Sequence, residues 1–379
     1  MAPARLLSLA PRPSTHHLRA LPRTTQTSIT VPPTKRHYSS PSTPPTSPFA
    51  PRHLLSIADL SPQELIRLVR NASAYKTAIK SGDSIPSTLS QSLQGQTIAL
   101  TFSKRSTRTR VSTEAAVARM NGHPMFLGAQ DIQLGVNESL RDSGIVISSM
   151  VSAIVARVDA HDTVAQLAQH SSVPVINALC DLYHPLQTLA DYLTLHEAFP
   201  TTQTDPNSGS LGLEGLKLAW VGDANNVLFD LAIGAAKLGV KLSVATPEGF
   251  EIPSFMREII TSAAAPGTNF DLVETRIPEE AVKDADVIVT DTWVSMGQEA
   301  EKKERLRAFE GYQITRELAR KGGAKEGWKF MHCLPRHPEE VSDEVFYGPT
   351  SLVFPEAENR LWAAVAALEG FVVNKGKIV

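Results

Sequence analysis

Short apolar runs alternate with helical patterns from residue 53 onward, and this alternation limits the possible folds more than any other feature of the sequence. A strand that is buried on both faces needs a continuous apolar run, whereas a helix that covers a sheet needs apolar residues three and four positions apart. The alternation therefore predicts an α/β protein with parallel sheets flanked by helices. Buried strands are predicted at residues 97–101, 125–127, 153–156 and 174–176, helices at 138–151 and 163–168, and an irregular segment at 177–186.

A second α/β series begins after a long helical pattern at residues 187–199 and a polar break at 201–212. Its strands are predicted at residues 217–221, 241–244, 286–290 and 328–331, with a helix at 227–238. A final helix at 356–371 is expected to pack back on the first series. Because open parallel sheets bind ligands beyond the carboxyl ends of their strands, the polar motifs after these strands predict one cleft between two domains.

The overall composition excludes several classes of partner. A formal net charge of −2 over 379 residues gives no field that attracts nucleic acid. The apolar runs are shorter than a membrane span, so we expect no membrane association. Cys180 and Cys333 are the two cysteines, and so small a number is typical of a reducing compartment.

The first forty residues differ in composition from the rest of the chain. They place Arg5, Arg12, Arg19 and Arg23 among Ser, Thr, Pro and Ala residues, and no acidic residue precedes Asp59. An arginine-rich, serine-rich and acid-free segment is typical of an organelle transit peptide. Residues 1–40 are therefore predicted to be a mitochondrial transit peptide and disordered lead-in, and a tail without a targeting role is the alternative.

The turn after the first predicted strand is the strongest candidate ligand site. This phosphate turn, residues 106–110, has the sequence Ser106-Thr107-Arg108-Thr109-Arg110 and opens a helical pattern. The free N–H groups and the positive dipole at a helix N terminus bind anions, and arginine adds paired donors for phosphate oxygens. Helix capping alone needs one hydroxyl and no cluster of cations. We therefore predict a site for a phosphate dianion.

Further polar side chains follow the next strands. Arg157 ends a predicted strand, where it can bind a carbonyl or phosphate oxygen or form a salt bridge with Asp159 or Asp162. His184 and Gln187 place an imidazole and an amide at the junction of the two series. The pair favours a polar ligand site, although an isolated histidine there is more often structural.

The second series adds more candidates. Asn225 and Asn226 are predicted at the start of a helix. They either cap this helix or bind a polar small molecule. The turn lacks the glycines that a dinucleotide-binding site requires. Asp291 follows a strand and suits a cationic amine. Cys333 is either a buried, inert thiol or a reactive one whose pKa neighbouring cations lower. The cysteine spacing does not fit a structural zinc site. Arg360 begins the last helix within reach of the cleft.

Together these motifs resemble the aspartate/ornithine carbamoyltransferase family over about residues 53–371. The phosphate turn resembles the carbamoyl phosphate motif, and residues 184–187 (His-Pro-Leu-Gln) resemble the carbamoyl-recognition motif. Residues 291–297 (Asp-Thr-Trp-Val-Ser-Met-Gly) and 332–336 (His-Cys-Leu-Pro-Arg) resemble the motifs of members that use ornithine. The resemblance implies transfer of a carbamoyl group from carbamoyl phosphate to L-ornithine, giving L-citrulline and phosphate, in arginine biosynthesis or the urea cycle.

The resemblance also implies a role for each matched position, without a metal or other cofactor. It implies a carbamoyl phosphate-binding domain at residues 53–187, completed by the helix at 356–371, and an ornithine-binding domain at 188–355. The residues implied for carbamoyl phosphate are Ser106, Thr107, Arg108, Thr109, Arg157, His184, Gln187, Cys333, Leu334 and Arg360. Those implied for ornithine are Asn226, Asp291, Ser295 and Met296, and those implied for catalysis are Cys333, Asp291 and Arg157.

The expected assembly is a homotrimer, again by resemblance, and the first forty residues predict a location in the mitochondrial matrix. Many relatives carry a histidine where this chain has Gln133, which would reach the phosphate of the neighbouring subunit without a charge. Related enzymes that act on aspartate, putrescine or N-acetylornithine are the nearest alternatives, and a non-catalytic regulator on the same fold is another. An aspartate site would need cations for the second carboxylate, whereas Asp291 suits a cationic amine.

Overall fold

The computed structural model describes residues 50–83, 86–130, 132, 134, 138–200, 209–268, 270–294 and 301–379. It contains two parallel sheets flanked by helices, which confirms the predicted fold class. The first sheet has the order β2-β1-β3-β4, with β1 (Thr97–Phe102), β2 (His123–Gly128), β3 (Ala153–Arg157) and β4 (Val175–Leu179). The second has the order β7-β6-β5-β8-β9, with β5 (Lys217–Val221), β6 (Lys241–Ala245), β7 (Leu272–Thr275), β8 (Val287–Thr290) and β9 (Lys329–His332).

Helices connect the strands and cover the sheets. Those of the first half are α1 (Pro62–Lys80), α2 (Ser87–Ser90), α3 (Thr107–Arg119), α4 (Leu140–Ser148), α5 (His161–His170) and α6 (Pro185–Ala198). Those of the second half are α7 (Asn226–Leu238), α8 (Ser254–Ser262), α9 (Pro278–Val282), α10 (Lys302–Ala308), α11 (Arg316–Gly322), α12 (Asp343–Phe346) and α13 (Val353–Leu368). None of the described helices is long and apolar enough to cross a membrane.

The start of α1 shows how local sequence determines an element. Ser61 caps the helix and accepts a hydrogen bond from the backbone of Glu64, whose side chain accepts one from the Ser61 backbone in return. Leu65, Leu68 and Val69, three and four positions apart, are buried. One face of α1 therefore joins the core.

Several sequence predictions need correction. The strand predicted at 125–127 exists as β2, but it lies at a sheet edge and Met125 is 40% exposed, so it is not buried. The segment predicted to be irregular at 177–186 begins with the last residues of β4 and ends with the start of α6. Strand β7 was not predicted from the sequence, because two of its four side chains are exposed at the sheet edge and Leu-Val-Glu-Thr is not a continuous apolar run. The last helix begins at Val353 and ends at Leu368, and a π-helical turn follows at Glu369–Val373.

Helix α13 lies apart from its sequence neighbours. It packs against α1, α3 and α6 of the first half, although it follows the last strand of the second sheet. A backbone hydrogen bond of 2.8 Å from Leu352 to Phe330 joins the segment before α13 to β9. This placement brings the start of α13 next to the carboxyl ends of strands from both sheets.

Candidate active site

A cavity of about 1140 Å³ lies where the carboxyl ends of the two sheets face each other. The segments that follow β1, β3, β4, β5, β8 and β9 all contribute to its wall, as expected for open parallel sheets. Its lining includes every predicted site residue that the structure describes: Ser106, Thr107, Arg108, Thr109, Arg157, His184, Gln187, Asn226, Asp291, Cys333, Leu334 and Arg360. Ser295, Met296 and Gln133 lie outside the described residues.

The phosphate turn forms the N terminus of α3. Ser106 caps the helix, its hydroxyl accepting a hydrogen bond of 3.3 Å from the Thr109 backbone and donating one of 3.0 Å to Oγ1 of Thr109. The turn therefore presents hydroxyl groups and the positive helix end to the cavity. Arg110 does not line the cavity: its guanidinium stacks 3.7 Å from the Phe126 ring centre and pairs with Glu114.

Three arginines from different elements converge on the cavity. Nη2 of Arg108 donates a hydrogen bond of 2.6 Å to the carbonyl of Leu334, across the cavity. Arg157 and Arg360 are buried, and burial lowers the pKa of each to about 10. The charge of Arg108 lowers the pKa of Arg157 further. Both guanidinium groups stay charged near neutral pH and together form a strongly positive surface.

The salt bridge considered for Arg157 is not formed. Asp159 instead pairs with Lys104 at 2.7 Å. Nε of Arg157 has no hydrogen-bond partner among the described residues, although it is buried. A buried donor without a partner is costly, so this group favours binding an oxygen-bearing ligand in the cavity.

His184 is held as a neutral imidazole. Its backbone N–H donates a hydrogen bond of 2.8 Å to Oδ2 of Asp230, which fixes the start of α6. Burial, followed by the charges of Arg360 and Arg157, lowers the pKa of His184 well below its ordinary value. Nε2 lies 3.4 Å from Nη1 of Arg360, and Nδ1 has no partner within the described part of the chain. A neutral histidine here can donate one hydrogen bond to a ligand.

Asp291 and the two asparagines line the cavity from the second sheet, where they follow β8 and β5. Asn225 caps α7 through its side-chain oxygen and donates a hydrogen bond of 2.8 Å to Oδ2 of Asp291. Asn226 donates one of 2.5 Å to the carbonyl of Cys180. Capping is therefore the role of Asn225, and this residue also fixes the Asp291 carboxylate.

Cys333 contacts the same carboxylate. Its thiol donates a hydrogen bond of 2.9 Å to Oδ1 of Asp291. Burial, followed by the negative charge of Asp291, raises the pKa of the Cys333 thiol well above its ordinary value. The hypothesis that flanking cations lower this pKa is wrong, because the nearest charge in space is a carboxylate.

Asp291, His332 and Cys333 offer atoms that lie within 4.8 Å of one another, as metal ligands would. Both ring nitrogens of His332 already have partners, since Nδ1 accepts a hydrogen bond of 2.9 Å from the Leu334 backbone and Nε2 lies 3.0 Å from Glu340. A histidine needs a free ring nitrogen to bind a metal. The group is therefore better described as a hydrogen-bonded cluster.

Several supporting residues escaped the sequence analysis. Asp230 accepts hydrogen bonds from Ser56, Ile57 and His184, and so links α7 to the first half. An acidic residue flanked on both sides by apolar residues in α7 was the available signal. Arg305 also lines the cavity and forms an ion pair with Asp223.

Comparison with known proteins identifies the family. Residues 52–197 match the model of the aspartate/ornithine carbamoyltransferase carbamoyl-P binding domain, and residues 214–370 match that of the Asp/Orn binding domain. The chain belongs to the aspartate/ornithine carbamoyltransferase family. The resemblance of the sequence motifs to this family is thereby confirmed.

Individual carbamoyltransferases resemble the chain over most of its length. The mitochondrial ornithine carbamoyltransferase of Emericella nidulans is 70% identical over 349 residues, which cover 91% of this chain and 96% of the relative. The crystal structure of a mitochondrial ornithine carbamoyltransferase from Coccidioides immitis has a TM-score of 0.81 and 67% identity, covering 87% of this chain and 100% of that one. The Pyrococcus furiosus ornithine carbamoyltransferase structure has a TM-score of 0.76 and 42% identity, covering 86% and 98%.

Proposed function

We propose that this chain is an ornithine carbamoyltransferase that converts carbamoyl phosphate and L-ornithine into L-citrulline and phosphate. One observation carries the proposal: a single cavity has an arginine-rich helix N terminus on one side and the Asp291 carboxylate on the other. The first suits a phosphate dianion, and the second suits a cationic amine. Strong similarity to enzymes named for this reaction agrees with that chemistry.

Carbamoyl phosphate binds with its phosphate at the N terminus of α3. Ser106, Thr107, Arg108 and Thr109 hold the phosphate oxygens and neutralise the leaving group. The carbamoyl group lies toward Arg157, His184, Gln187 and Arg360, with Cys333 and Leu334 on the opposite wall. Arg157 and His184 donate hydrogen bonds to the carbonyl oxygen, which gains negative charge as the amine attacks.

Ornithine binds on the side of Asp291 and Asn226, and Ser295 and Met296, which lie outside the described residues, are its other proposed ligands. Its δ-amine has an ordinary pKa of about 10, so it loses a proton before or during attack. The thiol of Cys333 already carries a proton and is hydrogen-bonded to Asp291, so it is a poor base. The proton acceptor is Asp291 or the departing phosphate.

The remaining predictions extend this proposal to the whole chain. Residues 53–187 with the helix at 356–371 form the carbamoyl phosphate-binding domain, and residues 188–355 form the ornithine-binding domain. The enzyme is a homotrimer in the mitochondrial matrix, to which residues 1–40 direct it. The names of the E. nidulans and C. immitis relatives support a mitochondrial enzyme.

An assay for the ureido product and for released phosphate tests the function. Protein that lacks residues 1–40 receives carbamoyl phosphate with L-ornithine, putrescine, N-acetylornithine or L-aspartate in separate reactions. We expect rapid product formation with L-ornithine alone, and an Arg157→Ala variant controls for contaminating activity. Faster reaction with one of the other amines would assign the chain to that sibling activity, and no reaction with any of them would favour a non-catalytic regulator.

A further inference from the structure

Two pairs of polar residues meet at the wall of the cavity, where α6 packs against α13. Gln187 and Asp191 are four residues apart on α6, and Glu356 and Arg360 are four residues apart on α13. Residues at this spacing share one face of a helix, so the two pairs face each other. All four side chains belong to residues that are at most 3% exposed. Burial of so many charged and polar groups requires that they satisfy one another.

Hydrogen bonds fix both ends of the Gln187 amide. Its Nε2 donates to Oδ1 of Asp191 at 2.7 Å and to Oε1 of Glu356 at 3.0 Å. Its Oε1 accepts a hydrogen bond of 2.7 Å from Nη1 of Arg360. An amide nitrogen carries two hydrogens and the amide oxygen has two lone pairs. Gln187 therefore has one lone pair left, and toward the cavity it can act only as an acceptor.

The two carboxyl groups also meet at the same nitrogen atom of Gln187. Nε2 of Gln187 donates to both carboxyl groups, at 2.7 and 3.0 Å, and two buried carboxyl groups this close together favour holding one proton between them. Burial raises the pKa of Asp191 to about 7, and burial with the charge of Asp191 raises the pKa of Glu356 well above its ordinary value. Oε2 of Glu356 also accepts a hydrogen bond of 2.9 Å from the backbone of His332, next to Cys333.

We propose that Asp191 and Glu356 are positioning residues that share one proton and hold the Gln187 amide so that its oxygen accepts a hydrogen bond from the carbamoyl –NH₂ group. The inference rests on the proposed function. A flipped amide would point its –NH₂ at Arg360 and its oxygen at two carboxyl groups, which is unfavourable on both sides. Without Asp191 and Glu356, the Gln187 amide can adopt the flipped orientation, and the site then loses its hydrogen-bond acceptor for the carbamoyl –NH₂ group.

Two conservative substitutions have opposite expected effects. In Glu356→Gln, the new –NH₂ can donate to Asp191 but cannot accept, so either Gln187 or the His332 backbone loses its acceptor. In Asp191→Asn, the new amide accepts from Gln187 and donates to an ionised Glu356. The Asp191→Asn variant keeps the single negative charge and every hydrogen bond, so it should retain the affinity for carbamoyl phosphate that Asp191→Ala loses.

The test measures dissociation constants for carbamoyl phosphate and for inorganic phosphate by calorimetry. Inorganic phosphate needs only the phosphate turn, so it reports any general damage to the site. We expect Glu356→Gln to weaken carbamoyl phosphate binding by about 10- to 100-fold with little change for phosphate. Asp191→Ala should weaken carbamoyl phosphate about fivefold or more. Asp191→Asn should bind it nearly as the parent does, and the exposed Glu358→Gln on the same helix is the matched control.

Each outcome decides the inference. Unchanged carbamoyl phosphate affinity in Glu356→Gln, or an equal loss for both ligands, overturns it. If Glu356→Gln does not fold, the comparison of Asp191→Asn with Asp191→Ala decides, and equal affinities in those two variants overturn it as well. A parent protein that binds no carbamoyl phosphate contradicts the proposed function itself, which separates that failure from failure of the inference.

Discussion

The thiol of Cys333 donates a hydrogen bond of 2.9 Å to Oδ1 of Asp291, and this contact joins the two motifs on the amine side of the cavity. Oδ2 of the same carboxylate accepts from Asn225 at 2.8 Å. Asp291 is thus held on both oxygens before any amine arrives. Because burial and the charge of Asp291 raise the pKa of the thiol, we expect Cys333 to orient the carboxylate through this hydrogen bond.

Asp291→Asn should damage ornithine turnover far more than carbamoyl phosphate binding. The change removes the charge that attracts the δ-ammonium group and leaves one of its two donors, Cys333 or Asn225, without an acceptor. We expect kcat/KM for ornithine to fall by about 100-fold or more. Steady-state kinetics and calorimetry with carbamoyl phosphate measure the two effects. An Asp162→Asn variant on the exposed side of α5 is the control, and equal losses in both measurements would contradict the assignment.

Arg108→Ala should weaken carbamoyl phosphate binding by about 2–5 kcal/mol, because a cation at the phosphate site and its contact with Leu334 are both lost. Arg110→Ala is a matched control in the same turn, since Arg110 stacks on Phe126 away from the cavity. Calorimetric titration of each variant measures the difference. Near-normal affinity in Arg108→Ala, or equal losses in the two variants, would show that the phosphate lies elsewhere.

Local patterns were enough to predict the phosphate turn and the order of most elements. Ser106 caps α3 because a hydroxyl before a helical pattern is a local signal, and the same holds for Ser61 and α1. Every described residue that the sequence analysis assigned to the site lines one cavity, because parallel strands direct their carboxyl ends to one edge. The broad arrangement of the site therefore follows from sequence.

Contacts between distant parts of the chain were not predictable in this way. Gln187 and Glu356 are 169 residues apart, and their hydrogen bond depends on α13 returning to the first half. The pKa of Cys333 has the same origin: Arg336 is its nearest cation in sequence, whereas Asp291 is its partner in space. Electrostatic environments depend on such tertiary neighbours, which residue order does not reveal.

A homotrimer is expected in solution, with the segment around Gln133 reaching the phosphate of a neighbouring subunit. Light scattering at assay concentration should give three times the mass of one chain, as a closed cyclic assembly requires. Gln133→His should change carbamoyl phosphate affinity only if this side chain reaches the neighbour's phosphate, because the substitution then adds an ionisable group at that site. A fully active monomer would exclude a shared site.

Residues 1–40 should direct a fluorescent reporter to the mitochondrial matrix. The expected signal is the positive charge of an acid-free segment, so replacing Arg5, Arg12, Arg19 and Arg23 by Gln should reduce import. Microscopy with a matrix marker, and protection from added protease in isolated mitochondria, measure the location. A reporter that stays in the cytosol with its native N terminus free would show that this segment is not a targeting signal.

His53 should make the protein lose stability in mild acid. It is buried, its Nδ1 accepts a hydrogen bond of 3.0 Å from the Val175 backbone, and burial lowers its pKa from 6.5 to about 4. The unfolded chain binds a proton at this residue below pH 6.5, whereas the folded protein does so only near pH 4. The contribution of His53 to the free energy of unfolding is therefore fully present above pH 6.5. It decreases by about 3 kcal/mol in total as the pH falls toward 4.

His53→Asn isolates this effect, because asparagine offers an acceptor for the Val175 backbone but does not titrate in this range. We expect the difference in unfolding free energy between parent and variant to shift against the parent as the pH falls from 7 to 4. Denaturant unfolding at fixed protein concentration over this range measures the difference. If the free energies of unfolding of the parent and the variant change in parallel with pH, then His53 binds its proton equally well in the folded and unfolded chains. That result would contradict the effect of burial in the contact with Val175.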